Sequence, residues 1–305
     1  MTIPRDRDDA TVAVGRKRVA LTNLGKVFFP EIGATKGRLL QYYADVAGVL
    51  LPHIAGRAMV MKRYPNGAAG EFFFMKRVPQ PHPPWLRTCP IEHGSGSVID
   101  FPVIDDPAAL LWMVNLGCID LNPWYARCDD VDRPDYAHFD LDPGESSFAM
   151  VREVALLVRD GLQALGMPAY AKTTGSKGMH VYVPIVRGPT QKQVWTFAKA
   201  FAVALSHHTP ELTTVAYHKD RRPKDRVLID YNQNRWGATL ASVYSVRPTP
   251  RATVSAPVSW DEVEAGIDIA DFHIGNMPAR IAKVGDLWKP LAAKRGRFDL
   301  TPLVD

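Results

Sequence analysis

The run His138-Phe139-Asp140-Leu141-Asp142-Pro143-Gly144 carries two carboxylates one residue apart. On a strand, residues i and i+2 project from the same face, so Asp140 and Asp142 point together while Phe139 and Leu141 point into the core. Two carboxylates held that close repel unless a proton or a cation lies between them. Oxygen ligands with open positions suit Mg²⁺ or Mn²⁺. The pairs Asp105-Asp106 and Asp129-Asp130 are adjacent in sequence and would face opposite ways on a strand, which makes them poor chelators. A third candidate, Asp230, lies in the strand-like run RVLIDYNQN. Three carboxylates around two divalent ions suit in-line phosphoryl transfer, where one ion activates the attacking oxygen and the other steadies the leaving phosphate. The bland alternative is a solvated strand end, or Asp142 capping the Pro-Gly turn. The matching third aspartate weighs against it.

A second segment, TTGSKGMH (173–180), lies between two strand-like runs. Gly175 and Gly178 let backbone approach a ligand and expose amides, Lys177 adds a point charge, and Thr174 and Ser176 add hydroxyls. His180 enters the following strand. The composition suits a phosphate cradle, although the spacing is neither GxxxxGK nor GxGxxG. A plain Gly-Ser-Lys turn with a core histidine is the alternative. Proximity to the Asp140 strand favours contacts with a triphosphate.

These residues need a scaffold, and the pattern supplies one. YAHFDLDP reads as a strand, SSFAMVREVALLVRDGLQALG as a capped helix with apolar residues every three and four positions. AYAKTTG and MHVYVPI read as strands, TQKQVWTFAKAFAVALSHH as a helix from about Thr190, and RVLIDYNQN as a last strand. The order β-α-β-β-α-β predicts an α+β, ferredoxin-like (RRM-like) core, with helices on one face of an antiparallel sheet and the other face free. Upstream, a helix starts near Thr35 as N-cap and another spans about 107–116 with Pro107 in its first turn. Residues 77–90 hold five prolines and read as an extended loop. The expected organisation is a flexible N-terminus (1–15) and one domain over 16–290. That domain comprises an N-terminal α/β module to about 125, a catalytic core to about 250 and a helical segment over about 258–290. A tail follows over 291–305.

With 305 residues, 46% hydrophobic and 23% charged, the chain has the composition of a globular protein. Its net charge of +5 permits a polyanionic partner without demanding one. Locally, residues 216–250 hold seven Lys/Arg against three Asp. Cys89, Cys118 and Cys128 are widely spaced and form no CxxC or Cys/His cluster, which predicts free thiols and no zinc site. No apolar run reaches the roughly 18 residues of a membrane span. With no secretory leader evident, the expected location is cytoplasmic.

Taken together, DxD, SKGxH and the strand aspartate resemble the three motifs of the archaeo-eukaryotic primase superfamily. The chain is similar, more narrowly, to the polymerase domain of bacterial ATP-dependent DNA ligase D and stand-alone primase-polymerases. LTNLGKVFFP, GEFFFMKR, NLGCIDLNPW, HFDLDPG, KTTGSKGMHVYVP, RVLIDYNQN, YSVRP and VGDLW carry the likeness from about residue 20 to 290. The resemblance implies a primase-polymerase fold and a repair polymerase that fills gaps and extends primers, using two Mn²⁺ (or Mg²⁺) ions and preferring ribonucleoside triphosphates. By position, Asp140, Asp142 and Asp230 match metal-binding carboxylates. Thr174 matches a residue near the nucleotide 2′-OH, and Lys177 one beside the nucleotide. Ser176, His180 and Arg247 match the triphosphate region, and Gly178 is expected in the nucleotide-binding turn. Lys26 and Lys36, with Asn23, match the pocket for a 5′-phosphate across a gap. Phe73 and Phe74 match aromatics that stack near the templating base, and of three consecutive phenylalanines one is expected in the core.

Relatives often have Ser at Thr174 and some have His at Asn122, so a nucleotide contact by Asn122 is an open expectation. A chain of 305 residues is expected to leave joining to a separate DNA ligase acting with end-joining or excision-repair proteins at nucleoid DNA. Two other readings use the same residues: a metal-dependent nuclease or phosphodiesterase, and a non-catalytic nucleic-acid-binding module. The first lacks an obvious water-activating base and leaves SKGxH unexplained. The second has no use for three strand carboxylates, which repel phosphates when metal-free.

Overall fold

Thr35 caps the first long helix as its place before an apolar-periodic run predicts. Its hydroxyl accepts from Arg38 N at 3.2 Å, and helix α1 follows over Lys36–Ile54. The computed structural model describes residues 1–304, Lys219 by its backbone alone. The chain divides into two units. The first comprises Met1–Trp124, Ala241–Ser255 and Phe272–Gly285, and the second comprises Tyr125–Leu240, Ala256–Asp271 and Asp286–Asp305.

In the first unit, residues 1–15 are not the flexible N-terminus that their polar composition suggests. Strand β1 (Ala10–Val14) pairs antiparallel with β2 (Lys17–Leu21) through a turn at Gly15, whose φ of 59° suits glycine. Ile3 is buried, and its amide donates to Gln41 Oε1 at 2.7 Å. The charged run over 5–9 hides a short alternating segment that needs only a hairpin partner. Strands β3 (Val27–Phe29) and β4 (Ala34–Thr35) pair beside the start of α1. β5 (Met59–Arg63) lies between β6 (Phe73–Met75) and, past β7 (Thr88–Glu92) and β8 (Val98–Pro102), β9 (Cys118–Pro123). The proline-rich stretch therefore ends in a strand: Thr88 to Pro90 belong to β7, which pairs with β8. Helix α2 (Pro107–Asn115) is capped by Asp106, whose carboxylate accepts from the amides of Ala108 and Ala109.

The second unit holds a six-stranded sheet. In chain order its strands are β10 (Tyr136–Asp142), β11 (Tyr170–Thr173), β12 (Met179–Pro184), β13 (Thr213–Thr214), β14 (Val227–Asp230) and β15 (Pro257–Val258). The spatial order is β13-β14-β10-β12-β11-β15. The four central strands give the fourth-first-third-second arrangement of a β-α-β-β-α-β unit. The two-residue edge strands extend it and carry no periodicity that a sequence could show. Helix α3 (Phe148–Ala164) is capped by Ser147, and α4 (Gln191–His208) by a capping box between Thr190 and Gln193. Both helices cover one face. Phe139 meets Phe201 there at 4.9 Å between ring centroids.

The opposite face is only half free. Tyr136, His138, Tyr182 and Trp288 form an aromatic block on it. His138 stacks on Tyr182 at 5.0 Å, and Trp288 lies 4.7 Å from Tyr182. Trp288 Nε1 donates to Ala171 O at 2.9 Å. The segment expected to be helical over 258–290 is shared: α5 (Trp260–Ala265) belongs to the second unit and the helix Met277–Val284 to the first. The final residues pack as well, with Phe298 bridging Ile185 and Leu300 buried. Of the cysteines, Cys118 is free and buried, whereas Cys89 and Cys128 are disulfide-bonded, against the expectation of three free thiols. Spacing along a chain does not show which thiols find partners in space.

Candidate active site

The pleat and register of the second unit's sheet place the acidic residues. Asp140 stands opposite Asp230 in the β10–β14 ladder and opposite His180 in the β10–β12 ladder. All three therefore project from the face away from α3 and α4. Asp142 lies two residues along the same strand, opposite Leu228. His180 Nε2 is 3.1 Å from Asp140 Oδ1. Both oxygens of Asp230 are held, one by Asn232 N at 2.8 Å and the other by Gln233 Nε2 at 3.0 Å. Asp142 accepts from Arg222 Nη1 at 3.3 Å and from Gly144 N at 3.3 Å. Thus the turn-capping role weighed for Asp142 is present together with an ion pair.

Burial pushes the Asp230 carboxyl above its ordinary range and the neighbouring charge of Asp140 adds to it, while the Asn232 amide opposes them. A divalent cation between the two strands would relieve that repulsion, and the donors are the oxygen type such an ion prefers. The chemistry of this pair therefore fits Mn²⁺ or Mg²⁺. Among the described residues, no group of three His, Cys, Asp or Glu side chains is gathered closely enough to hold an ion unaided. Asp140 and Asp230 form the nucleus, and Asp142 is turned toward Arg222.

The turn after β11 differs from its expected working. Its amides are not presented to a ligand. Those of Ser176, Lys177 and Gly178 all donate to Thr174 Oγ1, at 3.1, 3.1 and 3.0 Å. Thr174 N closes the loop on Gly178 O at 2.9 Å. Thr174 is thus the buried organiser of the turn, and the side chains of Ser176 and Lys177 are what it displays to solvent. Gly178 is required for a different reason from ligand approach. A Cβ there would lie 2.0 Å from Leu141 O, so the turn can nest against the Asp140 strand only without one. His180 is buried and bound to Asp140, not displayed toward solvent.

In the first unit, Asn23, Lys26 and Lys36 line one polar cavity of about 100 Å³. Lys26 Nζ donates to Asn66 Oδ1 at 3.0 Å, and Lys36 Nζ to Thr22 O at 2.6 Å. Burial pulls the Lys36 ammonium down to about 8; Asp9 opposes this, and Lys26 pushes the same way. Arg247 and Asn122 also belong to this unit. Asn122 Nδ2 donates to Asp120 O at 3.4 Å. Asp120 is buried, with its carboxyl pushed up by burial and held down by Arg247 and Lys62, whose Nζ is 3.9 Å away.

The phenylalanine triplet is exposed throughout: Phe72, Phe73 and Phe74 are 48%, 42% and 63% accessible, so none is a core residue. Cations back them. Lys62 Nζ lies 4.1 Å from the Phe72 ring centroid, and Arg63 5.4 Å from that of Phe73. Lys62, Asp120, Arg222 and Gln233 were not singled out by sequence. Asp120 alone left a signal, a lone acid in the apolar run CIDL.

Residues 35–288 match the family described as the LigD primase-polymerase domain. The multifunctional non-homologous end joining protein LigD of Mycolicibacterium smegmatis is 35% identical over 280 residues, which cover 91% of this chain and 36% of that protein. The bifunctional non-homologous end joining protein LigD of Bacillus subtilis is 31% identical over 271 residues, 88% of this chain and 43% of that protein. The chain thus spans about two-fifths of the length of these curated relatives. A solved structure of the polymerase domain of Mycobacterium tuberculosis ligase D in complex with DNA aligns with a TM-score of 0.86 at 33% identity, over 92% of this chain and 99% of that one.

Proposed function

The chain belongs to the LigD primase-polymerase domain family, and from that premise we propose that it is a template-directed nucleotidyltransferase. It fills short gaps and extends primers in DNA repair, within end joining, and prefers ribonucleoside triphosphates. The observation that carries this reading is the facing pair Asp140 and Asp230, with the Thr174–Gly178 turn nested against the same strand. The polymerase domain of similar structure was solved with DNA, which supports a nucleic-acid substrate. Residues 16–290 act as one primase-polymerase domain in this reading, an extent supported by the family match over 35–288.

Asp140, Asp230 and, after release from Arg222, Asp142 would hold divalent cations. Ions bound there would supply activation of the attacking 3′-hydroxyl and neutralisation of the triphosphate. The protein's own contribution is orientation. His180 fixes Asp140, while Asn232 and Gln233 fix both oxygens of Asp230. Ser176 and Lys177 contact the triphosphate, and Thr174 shapes the seat of the sugar. The exposed phenylalanines stack on template bases, a contact that tolerates any sequence. Lys26 and Lys36 hold the 5′-phosphate on the far side of the gap, since a terminal dianion is a strong target for ammonium groups. A DNA ligase activity would complete joining at nucleoid DNA in the cytoplasm.

Nucleotide incorporation on a one-nucleotide gap with Mn²⁺ tests the reading. Templated addition by the wild type, abolished in Asp140→Ala with DNA binding retained, is the expected result. DNA cleavage instead would favour a nuclease, and binding with no turnover under any metal would favour a binding module.

A further inference from the structure

A larger cavity of about 630 Å³ in the first unit has no role in the reading above. Arg5, Arg38 and Arg251 line it with His273, and no Asp or Glu does. Among the described residues, none of these three guanidinium groups has a hydrogen-bond or ion-pair partner. His273 Nδ1 accepts from Gly275 N at 3.1 Å, which leaves Nε2 as the donor. Leu24 and Ile274 give the cavity apolar wall.

The cavity shares a wall with the Lys26/Lys36 pocket. Gly37 N donates to Leu24 O at 2.9 Å and Lys36 N to Lys26 O at 2.8 Å, which ties the 24–26 and 36–37 segments together. Lys26 and Lys36 line the small pocket, while Leu24, Gly37 and Arg38 line the large one. Three unpaired guanidinium groups with no carboxylate in the lining favour an anion, and their planar forks match phosphate oxygens. The volume exceeds what one phosphate fills, and the apolar wall suits sugar rings between charges.

We propose that this arginine-lined cavity is a second phosphate-reading site, which takes the sugar–phosphate backbone of the strand whose 5′-phosphate enters the Lys26/Lys36 pocket. The assignment rests on the proposed gap substrate, but not on turnover.

Binding of the full chain to gapped, 5′-phosphorylated DNA tests it, with the first few downstream linkages either natural or replaced by neutral methylphosphonates. Wild type should bind the neutral strand about tenfold more weakly. The variant Arg38→Gln/Arg251→Gln should bind natural DNA about tenfold more weakly and lose nothing further on the neutral strand. Its log–log salt slope should fall by about two, one for each lost phosphate contact. Arg38→Lys/Arg251→Lys should recover most of the loss, which separates charge from misfolding. Losses that simply add would overturn the proposal, because the arginines would then act elsewhere. So would wild-type affinity in the Gln variant, or an equal loss on primer–template lacking a downstream strand. Coupled losses in a protein that adds no nucleotide would sink the polymerase reading and leave this site standing.

Discussion

Asp140 and Asp230 face each other across the antiparallel ladder of β10 and β14, and each carboxylate is held by a neighbour on its own side. His180 closes one flank of Asp140, and Gln233 and the Asn232 amide close Asp230. The supports leave the two carboxylates little freedom to turn apart, although their charges repel. An arrangement that keeps like charges together in the folded protein makes sense when a cation completes it.

Asp230→Asn keeps the size of the side chain and removes its charge. Incorporation on a gapped template should fall by at least about 100-fold, the order seen when metal shells are disturbed. DNA binding should persist. Chelation of divalent ions should abolish incorporation in the wild type, with Mn²⁺ restoring it. An Asn variant that extends primers at wild-type rate would remove Asp230 from the chemistry.

Lys36 gives a pH prediction with a definite sign. Burial holds its ammonium near 8, below the ordinary 10.5, so it is charged below that pH and neutral above it. Affinity for 5′-phosphorylated gaps should therefore decline as pH rises through about 8, while unphosphorylated gaps show a flatter profile. Folding stability should move the opposite way. Between about 8 and 10.5 the unfolded chain holds a proton that the folded one does not, so stability rises with pH. Lys36→Arg, charged throughout, should flatten the binding profile.

Thr174 Oγ1 receives three amides, so the hydroxyl and the methyl group can be separated by substitution. Thr174→Ser should keep the turn and unfold within about 1 kcal/mol of wild type. Thr174→Val leaves the donors without an acceptor and should cost about 2 kcal/mol in denaturant titration. With rNTPs and dNTPs in equal competition, wild type should favour the ribonucleotide. A clear deoxynucleotide preference would end the case for a sugar-reading role.

Gly178→Ala would drive a methyl group into Leu141 O, which is backbone and cannot swing aside. Thermal melting should show a loss of about 1–3 kcal/mol or more, with incorporation falling because the turn is displaced from the Asp140 strand. Alanine at Gly48, inside helix α1 where a Cβ meets nothing within 4 Å, is the control and should leave incorporation near wild type while stability holds or rises by up to about 1 kcal/mol.

Much of the second unit was legible in the sequence. Alternation over 136–142, three-and-four spacing over 148–164, and caps at Thr35, Ser147 and Thr190 each follow from local chemistry. The pairing of Asp140 with Asp230 followed from the order of elements. Less accessible were features set by long-range contact. β13 and β15 are too short to show a period, and Asp120 meets Lys62 from strands almost sixty residues apart. Nor could the phenylalanine triplet be placed, because apolar residues are a one-way guide to burial: a recognition surface and a core look alike in sequence. The cradle composition of 173–180 was readable, but not that Thr174 would consume the amides itself.

That last detail bears on how a ligand is met. A turn braced from within by its own hydroxyl keeps one shape whether or not anything rests on it. Its ordering entropy is lost once, when the chain folds, and not again at each encounter. What arrives at Ser176 and Lys177 finds a fixed shelf instead of a closing flap, so residence there is governed by how well the visitor fits.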